Sequence, residues 1–180
     1  AERAQAELRA VAQRAAENEL AARRTAEQQQ QRAAKIRWAR ETALPEIKRL
    51  IRVDDIAAAF ALAREAEQAI PDDPALVELW PKIASDAAIE TTPPGAEVYA
   101  KPYRHPSAEW EFIGTTPIAR IRLARAPYRY QIRKAGFETL NETDAGFYYE
   151  VSLMRRFAYR LVPTGSDEAT PPGMVRVPGH

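Results

Sequence analysis

The sequence predicts an α+β fold: a long N-terminal helix, a helical hairpin, then a small antiparallel β-sandwich. Three observations carry this expectation. Residues 1–42 hold no glycine or proline and are dominated by alanine, glutamate, glutamine and arginine, all strong helix formers. Residues 44–86 place apolar side chains at helical spacing between proline-bounded breaks. From Glu90 the chain reads ETTPPGAEVYAK, two prolines and a glycine ahead of an apolar and polar alternation. Proline cannot donate a backbone hydrogen bond and glycine permits positive φ, so PPG marks a reversal and AEVYAK a strand. The expected divisions are a helical stalk over 1–43, a hairpin over 44–86, a β-domain over 87–163, and a linker with the first strand of a further domain over 164–180.

In the stalk the large apolar residues are sparse, chiefly Leu8, Val11, Leu20, Ile36 and Trp38, with alanines such as Ala4, Ala15, Ala22 and Ala26 between them. No leucine-rich heptad seam is sustained. Glu19 with Arg23, and Arg23 with Glu27, stand at i,i+4 and support a solvated helix by a few tenths of a kcal/mol each. The run Gln28 to Gln31 carries no chemistry. A helix polar on all sides commonly bridges domains, so the stalk reads as a tether. Ala1 already stands inside the helical pattern, as expected of a piece of a longer protein.

The second part opens with Pro45, suited to a first helical turn, and sets Ile47, Leu50 and Ile51 on one face. Asp54 or Asp55 caps the next helix, DIAAAFALAREAEQAI, whose stripe is Ile56, Ala59, Phe60, Ala63, Ala66 and Ile70. PDDP then ends one helix and starts another, with Leu76, Leu79, Trp80 and Ile83 at helical spacing. Small alanines where helices cross, then a proline-bounded turn and a new helix, resemble a tetratricopeptide-type unit. A lone hairpin cannot bury its face unaided and is expected to pack on the stalk or the β-unit.

IETTPPGAEVYAK, FIGTTPIARIRL and YRYQIRKAGFETL follow in the order of a PEGA domain, and the stretch from Ala88 to Leu140 resembles that family. The motif itself stands as Pro94, Gly95 and Ala96, followed by Glu97. Gly95 and Gly114 are expected to make reversals, Pro117 to set a turn exit, and Gly136 to permit the kink before Phe137. KPYRHPSAEW replaces the tight hairpin common in such domains with a longer loop.

Ile118, Ile121 and Leu123, then Tyr128, Tyr130 and Ile132, then Phe157, Tyr159 and Leu161 form inward sets by alternation, with Arg120, Arg122, Arg129, Arg133, Lys134, Arg156 and Arg160 mainly between them. The expected result is a basic outer face. Arg120, Arg122, Arg129, Arg133 and Lys134 are the candidate residues for holding an anionic polymer, against the plainer reading of a solvated face with edge-protecting cations. Tyr99, Tyr103, Trp110, Tyr148 and Tyr149 are candidates for a binding patch, with most expected to pack the small core.

Catalytic groups are hard to assemble. The chain has no cysteine and only two histidines, His105 and His180, which provides no His-based triad, no metal cluster and no disulfide. Asp54-Asp55 and Asp72-Asp73 stand at helix starts, where carboxylates satisfy free amides. Ser85, Ser107 and Ser152 lack a nearby base. No cofactor motif is present, and a net charge of +1 argues against a dedicated nucleic-acid binder. The longest apolar run, Ile56 to Ala63, is too short to cross a membrane.

After an acidic, proline-bearing linker, GMVRVPG resembles the opening strand of formylglycine-generating-enzyme (sulfatase-modifying factor) domains. The order of tether, PEGA unit and this strand resembles the non-kinase part of bacterial serine/threonine kinases and related signalling proteins. That resemblance implies an extracytoplasmic, periplasmic or envelope setting, with the stalk following a membrane span outside this chain; a cytoplasmic setting stays open. Two functions are expected: a non-catalytic module that orients a neighbouring domain of the same chain or another protein, or a sensor of an anionic surface or cell-wall polymer.

Overall fold

The computed structural model describes residues 2–144 and 154–166. Helix α1 spans Glu2–Trp38, about 55 Å at 1.5 Å per residue. Every described side chain from Gln13 to Lys35 is exposed. Among its described side chains, only Ile36 and Trp38 pack against the core. The expected stop before Pro45 is instead a single π turn, Ala39–Ala43, leading directly into α2, Leu44–Arg52. Leu44 N–H reaches back five residues to Ala39 C=O. A proline inside an α-helix lacks a donor and crowds the carbonyl four residues back. The wider turn just ahead of Pro45 relieves both, so stalk and second helix are continuous.

Helix α3, Ile56–Glu67, is capped by Asp55, whose carboxylate accepts from Ala58 N–H at 3.2 Å. Helix α4, Pro74–Ile83, is capped by Asp73, which accepts from Ala75 N–H at 3.0 Å. Both caps fall where the aspartate pairs stand in the sequence. α2, α3 and α4 enclose a core of Ala39, Ala43, Ile47, Phe60, Ala63, Leu76 and Ile83. The three helical segments read after the arm are thus α2, α3 and α4.

Ile83 ends α4 and Ala84 begins strand β1, Ala84–Thr92, with no loop between them. The expected helix through Asp86 yields because Ala84, Ser85 and Asp86 pair with Ala124, Leu123 and Arg122 of β4, Ile118–Ala124. The remaining strands are β2, Glu97–Pro102; β3, Glu111–Thr115; β5, Tyr128–Arg133; β6, Leu140–Asp144; and β7, Arg155–Arg160. They form a three-stranded sheet ordered β4-β1-β7 and a four-stranded sheet ordered β3-β2-β5-β6. The fold is α+β with a small, largely antiparallel β-sandwich. One pair departs from the expectation: β1 and β7 run parallel.

Ala87, Ile89, Val98, Leu123, Tyr130, Ile132 and Leu161 fill the space between the sheets. Gly95 adopts φ 83° and its N–H donates to Thr116 C=O at 2.9 Å, as a reversal at PPGA requires. The buried Thr116 hydroxyl accepts from Ala96 N–H at 3.0 Å and shares a 2.5 Å hydrogen bond with the Thr91 hydroxyl. Gly136, φ 81°, lies in the turn closed by Phe137 N–H on Lys134 C=O. Gly114 is not a reversal. It lies inside β3 opposite Val98, where the pairing with β2 slips by a residue, and Thr116 and Pro117 make the turn instead. A bulge crowds the neighbouring chain: a Cβ at Gly114 would stand 2.9 Å from Ile118 Cδ1.

Candidate functional site

The five basic candidates do not form one face. Arg120 and Arg122 lie on β4 of the three-stranded sheet, Arg129 and Arg133 on β5 of the four-stranded sheet, and Lys134 just beyond it. Arg120 holds the Asp86 carboxylate through Nε at 3.0 Å and Nη2 at 2.7 Å, and this ion pair raises its pKa. Arg122 donates to Glu67 on α3 at 2.8 Å and lies over the Trp80 ring, 4.2 Å from its centroid. Its guanidinium bridges sheet and helices while the side chain stays largely in solvent. Lys134 reaches Gly95 C=O at 3.4 Å, beside the PPGA turn.

Further contacts fasten the same joint. Arg64 on α3 pairs with Glu111 on β3 at 2.7 Å, and Arg125 donates to Pro81 C=O at 2.9 Å. The long loop leans on the α2–α3 junction, where Arg104 meets the Asp54 C=O at 3.1 Å and His105 Nε2 lies 3.6 Å from the Asp55 carboxylate. Ala84, Ala124 and Ala126 from the β-unit belong to the helical core, and Tyr128 packs against both cores. A cleft of about 270 Å³ opens along the joint, lined by Phe60, Arg64, Ile113, Ile121, Arg122 and Leu123 among others. Burial pushes the Tyr128 phenol up to about 12, and raises Tyr130 and Tyr159 as well.

The outer surface of the four-stranded sheet has a different character. β2 directs Tyr99 and Lys101 outward and β5 directs Arg129, Gln131 and Arg133, since register sets Tyr99 opposite Gln131 and Lys101 opposite Arg129. Cations lie over rings throughout: Arg133 over Tyr99 at 4.7 Å, Arg129 over Tyr103 at 4.7 Å, Lys101 over Trp110 at 4.8 Å. Phe112 of β3 packs against Tyr99 at 5.4 Å between centroids. The Tyr99 hydroxyl donates to Glu97 at 3.0 Å, and this hydrogen bond is the main cause of its raised pKa. Gln131 accepts from Arg133 and donates to Asn141 Oδ1 at 3.0 Å.

Tyr99, Tyr103 and Trp110 were expected mostly in the core and are not part of it. The interior behind them is filled by Val98 and Ala100 from β2, and by Tyr130, Phe157 and Tyr159, whose rings follow one another at 6.0 and 6.4 Å. Tyr148, Tyr149 and Ser152 lie outside the described residues, as does GMVRVPG. Lys101, Phe112, Gln131 and Asn141 escaped the sequence reading, although period-two alternation through EVYAKPY puts Tyr99, Lys101 and Tyr103 on one side. Ser85 lies in β1 and Ser107 in the exposed loop. Among the described residues no cluster of histidine, aspartate and glutamate could hold a metal, and no helix is long and apolar enough to cross a membrane.

No protein-family model matches the chain, and no curated protein is significantly similar to it.

Proposed function

We propose that the chain is a non-catalytic, PEGA-like interaction module whose helical arm tethers and orients a neighbouring domain of a bacterial signalling protein on the outer side of the membrane. The joint between arm and sandwich is the observation that supports this most. α4 enters β1 without a loop, Ala84, Ala124 and Ala126 share the helical core, and Arg122 and Arg64 cross from sheet to helix. A module built so transmits the orientation of the arm to the sandwich instead of acting as a flexible leash. The PPGA reversal and the turn at Gly136, both at positive φ, support the family part of the reading.

Because the chain has no cysteine, spin labels can be placed uniquely at Arg24→Cys and Glu90→Cys, both exposed. A rigid joint gives one narrow distance distribution by pulsed electron resonance; a broad one overturns the reading. A second activity, recognition of an anionic polymer, is favoured by the cations and rings on the four-stranded sheet.

A further inference from the structure

We infer that the outer face of β2 and β5 binds a linear acidic polysaccharide, with sugar rings stacked on its aromatics and uronate carboxylates held by Arg129 and Arg133. The inference rests on the second activity above and names its ligand class.

Shape points to an extended ligand. Alternate residues of a strand stand about 6.8 Å apart, so Tyr99 and Lys101 of β2 form a row that Tyr103 continues in the turn just after the strand. Arg129, Gln131 and Arg133 form a second row beside it. Two parallel rows on an open sheet suit a chain lying along the strands.

Chemistry selects the class. Tyr103 and Phe112 are 45% and 52% exposed, so beside the Arg129 contact on Tyr103 and the Tyr99 contact on Phe112 each ring keeps apolar surface in water that the C–H faces of sugar rings can cover. The Gln131 amide is held between Arg133 and Asn141 Oδ1, and its second N–H and the Asn141 amide N–H groups remain as donors to sugar hydroxyls. Arg129 contacts the Tyr103 ring and makes no hydrogen bond among the described residues, so its guanidinium is free for a bidentate carboxylate. Stacking on a ring holds that fork in place before the ligand arrives.

Other polymers fit less well. A nucleic acid carries a phosphate at every nucleotide and calls for a strongly basic surface, whereas this face interleaves Glu97 with its cations and the chain carries only +1. Protein interfaces deplete lysine and glutamate at their centres, yet here Lys101 lies over Trp110 and Glu97 holds the Tyr99 hydroxyl.

The test titrates the full chain with oligogalacturonate, by calorimetry and tryptophan fluorescence, at low and high salt. Dextran, polyuridylate and polyglutamate serve as comparison ligands. Expected are saturable binding to oligogalacturonate that weakens with salt, little binding to the other three, and a loss of about tenfold or more with Arg129→Gln or Arg133→Gln. Tyr99→Ala and Tyr99→Leu should each weaken binding, with circular dichroism melts showing that the variants are folded. Arg120→Gln, on the other sheet, should leave affinity unchanged. Equal or tighter binding of polyuridylate or polyglutamate overturns the sugar assignment while leaving polyanion recognition standing. Absence of saturable binding to every polyanion overturns both, and equal binding of dextran overturns the role of the carboxylate.

Discussion

Replacing Arg122 by glutamine probes the joint at a cation that touches both Glu67 and the Trp80 ring. The guanidinium pairs with Glu67 at 2.8 Å, the two side chains being 44% and 34% exposed, so solvent screens the pair and holds it to about 0.2–1 kcal/mol. The contact over Trp80 at 4.2 Å is worth a further 0.5–1 kcal/mol or so. Arg122→Gln should therefore cost about 1–2 kcal/mol, several degrees in Tm for a chain of this size. Arg120→Gln removes a pair in which the arginine is 74% exposed and should be close to neutral. Urea and thermal melts of the parent, Arg122→Gln, Glu67→Gln and the double variant close a cycle whose coupling should be a few tenths of a kcal/mol or more and should shrink in salt. Equal stabilities for Arg122→Gln and Arg120→Gln, or zero coupling to Glu67, would refute the reasoning and return Arg122 to the solvated face.

Gly95→Ala forces a side chain into φ 83° and should cost about 1–2 kcal/mol in urea melts, its new methyl meeting only the movable Lys134 Nζ at 3.2 Å. Gly114→Ala should cost more by the same assay, because Ile118 Cδ1 at 2.9 Å belongs to a side chain packed on the sandwich core. Thr116→Val leaves the Ala96 amide and the Thr91 hydroxyl without their shared partner and should destabilise by about 1–3 kcal/mol. Tyr128, with its pKa pushed up to about 12 by burial, binds its proton in the folded state where the unfolded chain has lost it above about 10. Stability should thus hold up to pH 10 and fall from there to about 12 and beyond as Tyr130 and Tyr159 add the same effect. Urea midpoints across that range, with absorbance of the phenolate, check it, and Tyr128→Phe should flatten the early part of the decline.

Local signals gave the helices and the main turn: Asp55 and Asp73 cap α3 and α4, and Gly95 turns the chain at PPGA. Three features needed the assembled chain. Pro45 reads as a helix start, but the π turn before it depends on Ala39 and Ala43 being drawn into a core made by distant residues. Ala84 to Asp86 have helix-compatible composition and become strand through partners nearly forty residues away. The arginines alternate as a single basic face would, yet which sheet a strand joins is a tertiary choice, and it separates β4 from β5. The aromatics misled for a related reason. Large rings in a small domain suggest a core, but Val98 and Ala100 close the interior of β2, and Tyr99 is left to stack under a guanidinium outside.

The π turn at Ala39–Ala43 also sets the azimuth of the arm. An α-helix advances 100° per residue, so one residue more or fewer in that turn re-indexes everything N-terminal to it by about 100° and shifts it about 1.5 Å along the axis. Which stripe of the arm, Leu20 and its neighbours or the opposite side, points the same way as the sandwich is thus decided by a single turn rather than by anything on the arm itself. Deleting Arg40 or Glu41 would leave the exposed surface of the arm almost unaltered in composition while turning it a quarter of a revolution or more, separating what the arm presents from the direction in which it presents it.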